Sequence, residues 1–402
     1  MTTVEEAEKI ILSETRAYGT ELLPFEEAWG KVLAEPISAD RDLPPYNRVT
    51  MDGVAIRLKD FKNGVRRFVI QATQAAGDAP VDIYEENNCV EIMTGASLAA
   101  TANAVVPYEQ IDIADGIASI KNGVDVYPNQ NTHPKGLDKK QHDVLVTAGT
   151  AIDATTLNIA AAVGKTTLLV KKLPRVVIIS TGDELVAVDE KPLPFQVRRS
   201  NNYGIQAVLA QHGVQPVLLH LPDEPTLLKQ QLQACLETYD VLLLSGGVSM
   251  GKFDYVPRVL YDLQVVKLFH KVKQRPGKPF WFGTHAGGAL VFAFPGNPVA
   301  TFMCLHRYFM PWFAASQGIT AQHIFAVLAD DVRFTPELQY FLQVNLRVSP
   351  SGNLLAMPLA GNGSGDFANL TAANAFLELP AGRDFFEKGE VFRVWPFKKI
   401  VG

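Results

Sequence analysis

The chain is 402 residues long, with 47% hydrophobic and 20% charged residues and a formal net charge of −5. That length exceeds one ordinary hydrophobic core and implies about two to four domains, while the composition is that of a globular chain rather than a disordered one. The acidic balance argues against a nucleic-acid surface, which is normally basic.

The N-terminus, MTTVEEAEKI, lacks the positive and apolar regions of a signal peptide. No apolar run approaches the ~18 residues of a membrane span. Cys89, Cys235 and Cys304 are odd in number and lack C-x-x-C spacing, so they read as reduced core residues of a cytoplasmic protein. Residues 3–18 place Val4, Ala7, Ile10, Ile11 and Thr15 on one helical stripe behind an acidic first turn. Leu22 to Leu33 reads as a second short amphipathic piece ending near Pro36. In DRDLPPYNRVTMDGVAIR, Pro44 and Pro45 prevent helix and Gly53 marks a turn. Asp52 occupies that turn and reads locally as a turn-stabilising carboxylate. From Arg67 to about Val146, short alternating runs separated by Gly, Asn, Asp and Pro predict a small all-β domain. Thr94 ends one of its strands and Glu109 follows another, again as ordinary turn chemistry. Residues 153–164 predict a helix with Asp153 or Thr155 as N-cap and Gly164 as the stop. A domain boundary is expected at Lys171–Pro174.

Beyond Arg175 the pattern alternates between strand and helix. VVIIS runs into TGDEL, and a helix is predicted over 203–212. PVLLHL ends at Pro222-Asp223-Glu224, with Pro225 suited to the first turn of the next helix. VLLLSGG is a third strand, and the runs near Phe280 and Leu290 supply two more. The last feeds a long helix from Pro298 to about Ala315, with Asn297 as a good N-cap. Thr181, Gly182, Asp183, Glu184, Asp223, Ser245, Ser249, Asp254, Lys278 and Asn297 all fall just past apolar runs. In an open parallel sheet such positions gather along one edge, where ligands bind. After Gly318, QYFLQVNLRVSP, NLLAMPLA, AFLELPAG and VFRVWPF predict a small C-terminal β domain, interrupted by the glycine-rich GNGSGDFANLTAAN.

The α/β part carries neither a GxGxxG fingerprint nor a GxxxxGK[ST] loop, which removes the usual dinucleotide and P-loop readings. The G-V-S-M-G around Ser249 fits the letters of a hydrolase elbow, but Lys252-Phe253-Asp254 follows it instead of an apolar helix. Glu184, Asp223 and Asp254, if they converge, are hard-oxygen ligands suited to Mg²⁺. Lys273, Arg275 and Lys278 complement phosphate charge, and the amides of Gly246 and Gly247 and the helix start after Asn297 suit an anion. A Mg²⁺-assisted reaction on a phosphoanhydride follows from that set.

TGDEL, SGGVSMG-x-x-D-Y, RPGKP and PGNPV, in this order and spacing, closely resemble the molybdopterin molybdenumtransferase family, which includes MoeA and the E domain of gephyrin. The resemblance continues upstream through TMDGVAIR and IMTGA and downstream through GSG…AAN, covering nearly the whole chain. It implies a homodimer whose subunits hold a discontinuous N-terminal domain (1–48 and 140–172) and a small β-rich domain (49–139). An α/β molybdopterin-binding domain (173–318) and a C-terminal β-barrel-like domain (319–402) complete the implied architecture. It also implies the reaction: molybdate enters adenylylated molybdopterin, the phosphoanhydride is cleaved with Mg²⁺, and AMP and molybdenum cofactor are released. By motif position, the family's functional acids fall on Asp52, Asp138, Glu184, Asp223 and Asp254. Thr94, Lys278, Pro295, Pro298 and Ser364 match as well, and Asp52 and Thr94 are implied to serve the α/β domain of the other subunit. A molybdopterin adenylyltransferase upstream and molybdoenzyme acceptors downstream are the implied partners.

Four positions depart from the family pattern. Arg275 replaces the first lysine of Lys-Pro-Gly-Lys, and a planar fork is not a neutral exchange for an ammonium. Asn131-Thr-His133 with Gly136-Leu137-Asp138 stands where an arginine and a glutamate are expected, and Gln343 stands where an arginine is. Two other readings follow. A molybdopterin adenylyltransferase shares the α/β domain, although the flanking β regions argue against it. A non-catalytic pterin-binding or scaffold protein is the reading that the lost cationic residues motivate.

Overall fold

The computed structural model describes residues 1–248, 255–320, 322–361, 363 and 365–400. Ser249, Asp254 and Ser364 lie outside the described residues.

The first helix, α1 (Val4–Ser13), is set by a capping box. Thr3 Oγ1 accepts from Glu6 N at 3.1 Å, and Glu6 returns the contact to Thr3 N at 2.8 Å. It ends five residues before the predicted limit at residue 18, and Val4, Ala7 and Ile11 bury against Val176, Ile205 and Trp312 of the α/β core. The stretch read as a second amphipathic piece is instead a strand, Thr20–Pro24, followed by a 3-10 turn at Phe25–Glu27. It pairs antiparallel with Thr167–Lys171, and Ile37–Ser38 pairs with Val144–Val146. That apolar spacing fits either element, and a partner more than 100 residues away decides. Leu33, Ile37, Ile152, Leu168 and Val170 close a small core between the two stretches.

Between them lies a six-stranded mixed sheet in the order Ala104–Pro107, Gly53–Ile56, Asn88–Ile92, Arg67–Gln74, Ile117–Ile120, Ile111–Ala114. Phe68, Val54, Ile56 and Val106 fill one of its faces. A short helix, Leu58–Lys62, lies between Gly53–Ile56 and Arg67–Gln74, ahead of the stretch expected to be all β.

The α/β region holds β1 (Val176–Thr181), β2 (Val217–Leu221), β3 (Val241–Ser245), β4 (Val266–His270), β5 (Trp281–Thr284) and β6 (Leu290–Phe294), in the spatial order β2-β1-β3-β6-β5-β4. The first four in that order are parallel. The run at Phe280, predicted as one more strand of a parallel set, is β5, and it lies antiparallel to both neighbours. The loop from Thr284 to Leu290 is too short for a parallel crossover, so a hairpin forms. Consequently the loop 271–280 enters β5 from the same edge on which the parallel strands end. Helix α2 (Asn201–Ala210) starts earlier than predicted, whereas α3 (Pro225–Thr238) begins at its proline as expected. Glu224 caps α3, accepting from Thr226 N at 3.0 Å and Leu227 N at 2.7 Å. The long helix, α4, runs from Pro298–Cys304 through a π segment, Leu305–Phe309, into Met310–Ser316.

The C-terminal strands close on themselves. Gln339–Val348 pairs with both Leu354–Pro358 and Ala375–Leu379, and the circuit returns through Val391–Pro396 and Ile324–Leu328, giving a five-stranded barrel. One segment of the α/β region joins it: Gln274 and Arg275 pair in parallel with Gln339 and Tyr340.

Candidate active site

Three strand ends build the main cleft. β1 delivers Ser180 and Thr181, β3 delivers Ser245 and Gly246, and β6 leads through Pro295 and Gly296 to Asn297 and Pro298. Together with Glu184, Arg198, Arg199 and Asn201 they line a cavity of about 730 Å³ at the carboxyl edge of the sheet. Gly246 must be glycine. Its φ is +100°, and a Cβ there would stand 2.8 Å from the Thr181 carbonyl oxygen. The close approach brings β1 and β3 together and leaves room for an anion against their backbone amides.

Asn201 locks the floor. Its Nδ2 donates to Ser245 Oγ at 2.8 Å and to the Gly296 carbonyl at 2.8 Å, joining the first turn of α2 to the ends of β3 and β6. Thr301 Oγ1 donates to the Pro295 carbonyl and fixes the entry to α4. Asn297 sits at the N-cap position without a side-chain capping bond. The N-termini of α2 and α4 both face the cavity, and the positive ends of both dipoles favour a bound anion. Two buried polar atoms on this floor, Thr181 Oγ1 and Asn202 Oδ1, have no hydrogen-bond partner among the described residues. Groups of this kind are uncommon in a folded interior. Beneath them, Ser180 Oγ meets His220 Nδ1 at 3.1 Å, and burial holds that imidazole below its usual pKa.

Glu184 lines the cavity, and beside it Asp183 Oδ1 accepts from the half-buried Asp223 N at 3.0 Å. These oxygens match the donor chemistry that Mg²⁺ selects. Among the described residues no three His, Cys, Asp or Glu side chains form a complete cage. Mg²⁺ commonly takes one or two carboxylates and completes its shell with substrate phosphate and water, so this partial set fits that ion.

A second, smaller cavity of about 150 Å³ opens where the loop 271–280 meets the barrel. Arg275, Val299, Tyr340, Gln343 and Gly361 line it, so two of the departures from the family pattern share one pocket. Gln343 is buried, and its Oε1 has no hydrogen-bond partner among the described residues. The loop itself wraps the buried Gln274 amide, whose Nε2 donates to the Gly277 carbonyl at 3.0 Å while Tyr308 Oη donates to its oxygen. Gly277 has φ +89°, and a Cβ would come within 2.7 Å of Gln274 Nε2. This arrangement leaves Lys273, Arg275 and Lys278 exposed.

Asp52 and Thr94 meet each other, although not in the main cleft. Asp52 Oδ1 accepts from Thr94 N at 2.6 Å and from Thr94 Oγ1 at 2.7 Å, and these bonds hold its carboxyl below the usual range. Asp138 Oδ1 lies 2.9 Å from His133 Nε2. No residue of 49–139 is among those lining either cavity. Of the positions expected from sequence, Thr181, Glu184, Ser245, Gly246, Asn297 and Pro298 line one cavity, with Gly182, Gly247 and Pro295 in the same loops. Sequence reasoning passed over Arg198, Arg199 and Asn201. The adjacent arginines of RRSNN, between a proline-rich stretch and a helix start, were the available signal.

The family comparisons agree with this architecture along the chain. The region described as MoeA N-terminal region (domain I and II) matches residues 2–164, and the probable molybdopterin binding domain matches 177–315. The MoeA C-terminal region (domain IV) matches 326–397. A molybdopterin molybdenumtransferase of Synechocystis sp. is 40% identical over 394 residues, covering 98% of this chain and 99% of the relative. The chain belongs to the molybdopterin molybdenumtransferase family. A Staphylococcus epidermidis relative of the same name is 30% identical, covering 97% of this chain and 94% of its own length. The crystal structure of a molybdopterin biosynthesis MoeA protein from Pyrococcus horikosii superposes with a TM-score of 0.85 at 27% identity, covering 99% of this chain and 100% of that one.

Proposed function

We propose that this member of the family catalyses molybdate insertion into adenylylated molybdopterin in the cytoplasm, with cleavage of the phosphoanhydride and release of AMP. Family membership supports the transferase reading. The observation that carries the site assignment is the main cleft, where two helix N-termini, a glycine turn and two arginines converge beside Glu184. Cleaving a phosphoanhydride builds negative charge on the bridging and non-bridging oxygens. Backbone amides of the Gly246–Gly247 turn and the helix ends are fixed before that charge appears, so little reorganisation is needed. Thr181 Oγ1 donates to a phosphate oxygen, and Arg198 and Arg199 hold the phosphates electrostatically. Glu184 and Asp223 would hold Mg²⁺, with Asp254 as the third acid. When bound, the ion would neutralise phosphate charge and polarise the scissile bond. Arg275 and Lys278 serve molybdate, which enters as substrate.

In the proposed homodimer, Asp52, Thr94 and Asp138 serve the cleft of the partner subunit, which gives the exposed Asp52–Thr94 pair a task. An adenylyltransferase supplies the substrate, and molybdoenzymes accept the product. The test is direct. Purified protein given adenylylated molybdopterin, molybdate and Mg²⁺ should release one AMP per cofactor formed, and no release under those conditions overturns the reading.

A further inference from the structure

The Asp52–Thr94 and His133–Asp138 pairs lie on one exposed ribbon of the β-rich region. Arg48–Val49 forms its middle and pairs antiparallel with Thr132–His133 on one side. On the other side Gly95 N donates to the Val49 carbonyl at 2.8 Å, and Val49 N donates to that of Ala96 at 3.0 Å. The turn after His133 is pinned to the chain just before the ribbon. Lys135 N donates to Asn47 Oδ1 at 2.9 Å, Gly136 N to the Pro44 carbonyl at 2.9 Å and Asp138 N to the Leu43 carbonyl at 3.0 Å. Gly136 allows the reversal with φ +67°. Asp138 is thereby folded back onto the His133 ring, with Oδ1 2.9 Å from Nε2.

Among the described residues this is the one pairing of an imidazole with a carboxylate. The two side chains are 27% and 55% exposed, so solvent screens the pair in part. Two departures from the family pattern coincide in it, since His133 stands where arginine is expected and Leu137 where glutamate is. A fixed cation and an anion are absent together. With a neutral imidazole the turn therefore keeps the net charge that the family pattern would give it, and with a protonated one it is a unit more positive. Leu137 is 64% exposed, so the exchange there alters charge without filling a core. The other charged groups on the elements packed against the ring are Arg48, its cross-strand neighbour, then Lys135, Lys139 and Lys140 on the turn, and Asp42, whose Oδ2 lies 3.9 Å from Lys135 Nζ. Of these residue types only imidazole, when unperturbed, changes charge between about pH 5 and 8.

We propose that His133 is the positioning residue for Asp138 in the transferase reaction, and that its imidazole makes the hold on that carboxylate depend on pH. The protonated ring gives a charge-assisted bond, roughly twice as strong as the neutral one. The hold is full while the ring is protonated and weakens as pH rises and the proton leaves. An arginine at this position would hold equally at every pH. The inference rests on Asp138 serving the reaction as proposed above.

AMP release by the purified full-length protein tests it, read as kcat/KM for adenylylated molybdopterin between about pH 5.5 and 9. The ratio of the unaltered protein to His133→Arg cancels what every other group contributes to the profile. It should fall about three- to tenfold from the acid to the alkaline end, because only the imidazole loses its charge. His133→Gln keeps a donor and has no charge to lose, so it should match the unaltered protein at the alkaline end and lag by the same factor at the acid end. A ratio that stays constant with pH in either comparison makes the ring merely structural and overturns the inference, while the proposed reaction stands. Absence of AMP release from the unaltered protein overturns both. If either variant melts early, Leu137→Glu decides. An anion added beside the ring favours its protonated form, so the alkaline fall in kcat/KM should move to higher pH, and an unmoved profile overturns the inference.

Discussion

Glu184 and Thr181 stand three residues apart and do different jobs at the same cleft, and single substitutions separate them. Glu184→Gln keeps the shape and removes the charge that would hold Mg²⁺, so AMP release should fall by about 100-fold or more with an unchanged melting temperature. Thr181→Val deletes a hydroxyl that has no partner among the described residues, so stability should hold or rise while substrate affinity falls about tenfold. Asp52 makes a pH prediction. Its two bonds from Thr94 depress the carboxyl pKa in the folded chain, so the stabilisation they bring is full above the ordinary aspartate range and is lost only as pH falls through the lowered value. Carbon-detected NMR titration should find that midpoint below the usual one, and Thr94→Val should move it upward. Gln343→Arg restores a cation facing Arg275 across a 150 Å³ pocket. If molybdate enters there, its apparent KM should drop about tenfold, while an unchanged KM places molybdate elsewhere.

At the scale of elements, the π segment of α4 gathers three parts of the chain. Arg307, 1% exposed, bonds Glu8 of α1 at 2.9 Å and Glu378 of the barrel at 3.3 Å, and stacks on Trp395 at 4.4 Å. Glu378 also accepts from Trp395 Nε1 at 2.6 Å and from Gln339, whose strand pairs with Gln274–Arg275. The cationic loop is thereby tied to α1, α4 and the barrel. Arg307→Ala removes the buried cation that joins the part-buried Glu8 and Glu378, so chemical denaturation should show a loss of about 3 kcal/mol. Glu224→Ala, which removes only the α3 cap, should lower the melting temperature by much less than Arg307→Ala does. The Asp153 cap was legible beforehand, because a cap and the amide it binds lie within four residues, whereas Glu224 was not read as one. The direction of β5 was not legible, since an apolar run of its length fits either orientation and only the short connection to β6 decides.

For the whole molecule, the decisive separation is between the main cleft and the Asp52–Thr94 pair. If the pair completes the partner's site, light scattering should give twice the 44.0 kDa chain mass. Asp52→Ala and Glu184→Gln should each be inactive alone. After subunit exchange in an equal mixture, a heterodimer holds one site with both changes and one with neither, so AMP release should recover to about a quarter of the normal rate. A site built within one subunit would give no recovery.

The sequence by itself determined the family and the chemistry of each loop, because glycine turns, proline starts and strand-end acids act on neighbours only a few residues away. It placed Thr181, Glu184, Ser245 and Asn297 at strand ends and so marked one sheet edge. What tertiary structure decided was which groups meet: Asn201 with Ser245 and Gly296, Arg275 with Gln343, and the strand Thr20–Pro24 with Thr167–Lys171. Those contacts join residues 44 to more than 140 positions apart. They follow from how apolar faces pack, which local periodicity does not record.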